Sequence, residues 1–223
     1  MAKKNEILRV TRPKEQARAA YNKLSRWYDV IAGFFEKKPR ELALQKLNVA
    51  EGEKVLEIGF GTGHCMLALA QLVGNSGKVY GIDISEGMLN ITKQRISEAG
   101  LSERVGLRRG DATELPFESD TFSAIFMSFT LELFDTPEIP VVLAACKRVL
   151  RKGGRICVVE LSKEKAGLMT KIYEWLHKRI PQYVDCRPIF VRRSLEEAGF
   201  QIVDVAAMSM LGLLGEVVVG KKT

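Results

Sequence analysis

The chain has 223 residues, 46% of them hydrophobic and 27% charged, with a formal net charge of +7; this length and apolar content suit one domain with a substantial core. No apolar run reaches the roughly 18 to 20 residues needed to cross a bilayer, and the charged N-terminus leads into no apolar core or cleavage site, so a cytoplasmic protein is expected. Cys65, Cys146, Cys157 and Cys186 are widely spaced without a Cys-x-x-Cys pair, which favours buried reduced thiols over zinc ligands or disulfides.

Residues 1–40 hold eleven Lys/Arg against four Asp/Glu, a difference equal to the net charge of the whole chain. The segment also contains Tyr21, Trp27, Tyr28, Phe34 and Phe35. A basic, aromatic stretch of this kind can lie on an anionic membrane, bind nucleic acid, or form a lid with a solvated outer face, and the lid is the default reading. Helix is expected from about Pro13 to Leu47, which makes residues 1–48 a basic helical cap ahead of a unit spanning 49–223.

Val55-Leu56-Glu57-Ile58-Gly59-Phe60-Gly61-Thr62-Gly63 is an apolar run with an acid near its end and three alternating glycines. It reads as a strand entering a tight turn, where glycine lets the main chain approach a ligand without Cβ interference. The spacing Gly-x-Gly-x-Gly is not the Gly-x-Gly-x-x-Gly of dinucleotide folds, because His64 stands where the third glycine would be. The phosphate-loop ending is missing as well. Glu57 makes the pocket floor acidic, which disfavours a diphosphate and suits a ligand bearing positive charge, such as a sulfonium with an ammonium.

Lys78-Val79-Tyr80-Gly81-Ile82-Asp83 is a second apolar strand, and its terminal acid can accept both hydroxyls of a ribose. A third, Val105-Gly106-Leu107-Arg108-Arg109-Gly110-Asp111, again ends in an acid, placed to hold an adenine amino group. Any one of these acids taken alone reads as a helix N-cap or a loop end. Further strands are expected near 122–128, 154–161, 200–207 and 215–220, with helices over 65–73, 87–98, 139–149 and around 194–197. Such alternation implies a largely parallel sheet with ligands at its carboxyl edge.

With these motifs in unbroken order over residues 20–220, the chain resembles the class I S-adenosylmethionine-dependent methyltransferases. The resemblance implies an α/β, Rossmann-like fold with seven strands, the last antiparallel, flanked by helices. It also implies S-adenosyl-L-methionine as cofactor, leaving as S-adenosyl-L-homocysteine. Tyr21-Asn22-Lys23-Leu24-Ser25-Arg26-Trp27-Tyr28-Asp29 further resembles the cap motif of the ubiquinone/menaquinone biosynthesis C-methyltransferases, which would bring Tyr21 toward the methionine end of the cofactor and Tyr28 to its flank. The cofactor set carried over is Tyr21, Glu57, Gly59, Gly61, Gly63, Asp83, Ile84, Met88, Asp111, Ala112 and Ser128.

The stretch after the fourth strand, Ser128-Phe129-Thr130-Leu131-Glu132-Leu133, is not the Asn/Asp-Pro-Pro-Tyr of amino-methyltransferases, and no Pro-Cys nucleophile is present. No carboxylate cluster marks a magnesium site, so metal-free transfer is expected. Displacement at a sulfonium needs chiefly alignment, proximity and exclusion of water. For a carbon acceptor, a base that ionises a neighbouring hydroxyl would help, and His177, Tyr183 and Asp185 are the candidates. Phe129 and Glu132 are placed either in the wall of an acceptor pocket or in packing. Met169, Ile172, Tyr173 and Leu176 fall on one helical face that suits a core stripe or an acceptor wall, with core packing preferred.

The sequence is therefore read as a methyltransferase acting on a small or lipid-like acceptor, first a carbon of a prenylated quinol precursor, then the nitrogen of phosphatidylethanolamine. The basic N-terminus is expected to allow peripheral contact with an anionic membrane. An RNA methyltransferase and a cofactor-binding protein without catalysis remain as readings from other classes, although no nucleic-acid module is recognisable.

Overall fold

The computed structural model describes residues 7–10, 12–24, 33–164, 168–179, 186–210 and 212–223. Among the described residues, two helices, α1 (Lys14–Leu24) and α2 (Gly33–Leu47), precede the first strand. The chain then alternates: β1 (Lys54–Ile58), α3 (His64–Leu72), β2 (Lys78–Asp83), α4 (Glu86–Glu98), β3 (Val105–Arg109), β4 (Phe122–Ser128), α5 (Glu138–Val149) and β5 (Leu150–Leu161). It finishes with α6 (Leu168–Arg179), α7 (Val191–Glu197), β6 (Gln201–Met210) and β7 (Leu213–Lys221).

The seven strands form one sheet in the order β3-β2-β1-β4-β5-β7-β6. β1 to β5 run parallel, and β7 inserts antiparallel between β5 and β6. The expected seven-stranded α/β fold with an antiparallel last strand is thus observed. β4 reads Phe-Ser-Ala-Ile-Phe-Met-Ser because helices cover both faces of a central parallel strand, and its first six residues are all buried.

One core joins α2 and α3 to the sheet through Ala43, Leu47, Met66 and Leu69. The other lies under α5, whose Ile139, Val142, Leu143, Cys146 and Val149 recur at helical spacing and are buried. Cys65, Cys146 and Cys157 are buried in these cores as free thiols, which burial pushes well above the ordinary thiol range.

Two boundaries differ from the sequence pattern. β5 begins at Leu150 rather than near 154, because Gly153 N–H donates to the Lys222 carbonyl and Lys222 N–H to the Gly154 carbonyl, giving the Arg-Lys-Gly-Gly stretch a backbone partner. β6 and β7 extend toward each other as far as the Met210–Leu213 pair, a longer hairpin than the apolar runs alone indicate.

The strand order reverses between β1 and β4, with β2 and β3 on one side and β5 on the other. At such a switch point the connections leave in opposite directions, and a crevice opens at the carboxyl ends of the strands.

Candidate functional site

Gly59, Gly61 and Gly63 all hold positive φ, at 71°, 52° and 84°. They need it for different reasons. A Cβ on Gly59 would collide with the Thr130 side chain, and one on Gly63 would press on Thr92, whereas one on Gly61 would meet no atom of the described residues within 4 Å. Gly59 and Gly63 therefore serve packing, while Gly61 opens the main chain to the cleft. The turn is fixed from outside: Gly61 N–H donates to Asp83 Oδ2 at 2.9 Å, and Thr92 Oγ1 donates to the Gly61 carbonyl at 2.8 Å.

Asp83 closes β2 and also accepts from Ser85 N–H at 2.8 Å through Oδ1. Desolvation raises its carboxyl to about 6, against these backbone donors, which favour the charged form. Asp111 is treated differently. It accepts from Thr113 N–H at 2.9 Å and from Lys14 Nζ at 2.6 Å, and these contacts outweigh desolvation and hold it below the usual carboxylate value.

Between these residues lies a cleft of about 210 Å³. Its lining includes Gly59, Gly61, Asp83, Ile84, Met88, Asp111, Ala112 and Ser128, and on the far side Phe129, Leu133, Phe134 and Cys186. A smaller adjoining pocket is lined by Arg40, Glu57, His64, Cys65 and again Gly59, Gly61 and Ser128. Glu57 is buried and among the described residues its Oε2 has no hydrogen-bond partner, nor does the buried Ser128 Oγ. Burial pushes the Glu57 carboxyl well above its ordinary value, only partly countered by the Arg40 charge. An orphaned, buried acceptor of this kind calls for a donor from a ligand.

The loop after β4 forms the opposite wall. Phe129 holds φ 49°, and its N–H donates to the Val159 carbonyl at 2.8 Å. Behind it Glu160 Oε1 accepts from Thr130 N–H at 2.9 Å and Leu131 N–H at 2.8 Å, and Glu132 Oε2 accepts from Leu161 N–H at 2.8 Å. Phe129 therefore lines the cleft, whereas Glu132 turns inward and is fully buried beside Glu160. Burial raises both carboxyls of the pair.

The N-terminal segment closes over the cleft. Arg9 pairs with Asp135 through Nε at 2.8 Å and Nη2 at 2.6 Å, and Val10 N–H donates to the same carboxylate at 2.9 Å. Lys14 Nζ joins Asp111 to Glu138, at 2.6 and 2.5 Å. On α1, Asn22 Oδ1 accepts from Ser85 Oγ at 2.7 Å and Gly87 N–H at 3.0 Å, so the helix is tied to the N-terminus of α4 beside Asp83.

Of the residues expected in the site, Gly59, Gly61, Asp83, Ile84, Met88, Asp111, Ala112 and Ser128 meet in the cleft and Glu57 in the adjoining pocket. Gly63 lies one step back, at the N-cap of α3. Tyr21 falls on α1, but its side chain lies outside the described part of the structure, as do Trp27, Tyr28, Tyr183 and Asp185 as whole residues. His177 is buried on α6 and is not among the residues lining either pocket. Among the described residues there is no group of three or more His, Cys, Asp or Glu able to hold a metal, and no helix long and apolar enough to cross a membrane. Lys14, Arg40, Asp135, Glu138 and Cys186 also line the two pockets, and the strand-end motifs gave no signal for them.

A glycine turn after β1, an acid after β2 and another after β3, gathered at the switch point of this sheet, define a class I S-adenosylmethionine-dependent methyltransferase. The profile of the ubiE/COQ5 methyltransferase family matches residues 10–186, and the chain belongs to that family. It is 34% identical over 153 residues to the demethylmenaquinone methyltransferase of Bacillus subtilis (strain 168), an alignment covering 67% of this chain and 64% of that protein. It is 31% identical over 235 residues to the demethylmenaquinone methyltransferase of Staphylococcus aureus (strain JH9), covering 94% of each. A solved SAM-dependent methyltransferase from Aquifex aeolicus is 25% identical, with a TM-score of 0.60 over 81% of this chain and 88% of that one.

The residues present fit S-adenosylmethionine. The unpartnered Glu57 Oε2 suits an ammonium, the open face of Gly61 leaves room for a ligand against the main chain, and Asp83 and Asp111 present acceptors to hydroxyl and amino donors. When bound, the cofactor supplies an electrophilic methyl group on a sulfonium.

Proposed function

We propose that this protein methylates a ring carbon of a prenylated quinol precursor of the demethylmenaquinol type. The observation that carries the reading is the part of the cleft beyond β4, where Phe129, Leu133, Phe134 and Cys186 line it with a largely apolar surface beside the glycine turn. A flat aromatic acceptor suits such a wall, since its ring buries apolar area against Phe129 and Phe134. The names of the Bacillus and Staphylococcus relatives support the same acceptor class.

The chain's own contribution is alignment and dryness. The Glu160 carboxyl fixes the backbone of Thr130 and Leu131, which holds Phe129 in its left-handed conformation at the cleft wall. The strap of residues 7–10 and 12–14 and helix α1 act as a lid that excludes water from the reacting centre. Loss of the sulfonium charge along the reaction is favoured in a water-poor cleft, no strong acid is required at the acceptor, and the proton displaced from the ring carbon passes to water as the cleft reopens.

The test supplies purified protein and methyl-labelled S-adenosylmethionine with, separately, a reduced demethylated prenyl-naphthoquinol, phosphatidylethanolamine vesicles and bulk tRNA. Label in the quinol supports the proposal. Label in phospholipid or RNA with the quinol silent overturns it.

A further inference from the structure

Helix α6 is built inside out. Its inward residues are polar or mixed: Thr170 and His177 are buried, Tyr173 is half-buried, and Glu174 is paired with Lys163 at 2.6 Å. Among its described side chains, three large apolar ones face outward: Met169 is 47% exposed, Ile172 43% and Trp175 55%. At 100° per residue these three and Arg179 share one stripe, and the Arg179 guanidinium lies over the Trp175 ring at 5.4 Å. A water-facing helix of a globular domain normally shows the opposite arrangement, so the stripe marks a contact surface.

We propose that the outward face of α6 docks the protein on an anionic lipid bilayer. Charge complementarity selects this occupant. The helix carries Lys171, Lys178 and Arg179 against one acid, Glu174, and that acid is neutralised on the inner side by Lys163. Trp, Met and Ile beside an arginine are the composition of an interfacial helix, whose rings and alkyl groups sit at the headgroup boundary while cations reach phosphate. A second copy of the chain is the weaker occupant, because three partly exposed side chains offer on the order of 300 Å² against the roughly 800 Å² per partner of a stable interface.

The position of α6 agrees with that role. Lys163, which anchors Glu174, lies just beyond the carboxyl end of β5, and Cys186, the first described residue after α6, lines the cleft. The apolar stripe and the cleft thus belong to the same edge of the sheet. By contrast, Arg9 and Lys14 of the basic N-terminus are turned onto Asp135, Asp111 and Glu138, so these two cations latch the lid and are not offered to a membrane. The surface is argued from α6 alone and does not depend on which acceptor is methylated.

Trp27 and Trp175 are the two tryptophans, so in the full chain carrying Trp27→Phe the fluorescence reports on α6. Vesicles of phosphatidylcholine with phosphatidylglycerol are expected to shift this emission to the blue and shield it from an aqueous quencher, whereas pure phosphatidylcholine gives a weaker response. In co-sedimentation, Ile172→Ser with Trp175→Ser in the otherwise wild-type chain should lower partitioning on the order of tenfold or more, with S-adenosylmethionine affinity retained as the control for folding. Absence of binding by the wild-type chain, or binding undiminished in the double variant, overturns the proposal. So does a dimer in lipid-free buffer in which Trp175 is already shielded.

Discussion

Lys14 Nζ lies 2.6 Å from Asp111 Oδ2, joining the start of α1 to the residue that ends the turn after β3, 97 positions away. The same ammonium reaches Glu138 at 2.5 Å, so one side chain fastens the N-terminal strap to both sides of the cleft. Lys14→Met should therefore speed cofactor release several-fold. It should cost the fold about 1 kcal/mol or less, because the lysine is 38% exposed and solvent screens the pair. Displacement of labelled cofactor by S-adenosylhomocysteine measures the rate, and an unchanged rate would show that the strap does not gate the site.

The two glycines that face different surroundings should separate stability from binding. Gly61→Ala meets no atom of the described residues, so its cost to folding is the strain of positive φ, about 1 to 2 kcal/mol, while its methyl projects into the cleft and weakens cofactor binding by on the order of tenfold or more. Gly59→Ala drives a methyl into Thr130 and should lower the melting temperature further. Calorimetry on both variants checks this, and equal melting temperatures with equal affinities would mean that the turn is misread.

Asp83 gives opposite pH slopes to the free and bound protein. Its folded value of about 6 lies above the ordinary 3.8, so the folded state holds the proton more tightly than the unfolded state. This group's contribution to stability is full below about 4 and is lost as pH rises through 6. Ribose hydroxyls prefer the charged carboxylate, so cofactor affinity should fall as pH drops through 6. Titration calorimetry between pH 5 and 8 reads the second slope, and Asp83→Asn should flatten it as well as weaken binding. A pH-independent affinity in the wild type would remove Asp83 from the site.

Glu57 should trade stability for binding. Its buried carboxyl is held well above the ordinary value by desolvation and has one oxygen without a partner among the described residues. Glu57→Gln removes the cost of ionisation in a buried site, so the unliganded fold should be as stable as wild type or more so, while cofactor affinity falls. Binding to the wild type should also release a proton, seen as a dependence of the measured enthalpy on the buffer. A melting temperature that drops with affinity intact would reassign Glu57 to structure.

The cofactor side of the cleft was readable in the sequence because each of its acids stands next to a strand-ending apolar run or a glycine turn, a pattern local to a few residues. Asp83 and Asp111 needed no knowledge of the rest of the chain. The Lys14 latch and the Arg9–Asp135 pair were not readable, since they join residues 97 and 126 positions apart and nothing in either segment names the other. Glu132 was placed as either a wall or a packing residue. Only the sheet register shows its carboxyl turned to Leu161 N–H beside Glu160.

Met169, Ile172, Tyr173 and Leu176 share a helical face for which the sequence favours core packing; the structure packs half-buried Tyr173 against the core but leaves Met169 and Ile172 exposed, and the Leu176 side chain lies outside the described part. Periodicity reports that a helix has an apolar side but not which way that side faces. Here Lys163 and the polar inner residues of α6 claim the buried direction.

Carbon methylation is tested most directly by locating the transferred methyl group in the product, using fragment-ion mass spectrometry after incubation of protein, S-adenosylmethionine and a reduced demethylated prenyl-naphthoquinol. One added methyl on a carbon of the ring is expected, with the hydroxyls and the prenyl chain unmodified. A methyl on oxygen, or an unmodified quinol beside a methylated phospholipid nitrogen, would contradict it.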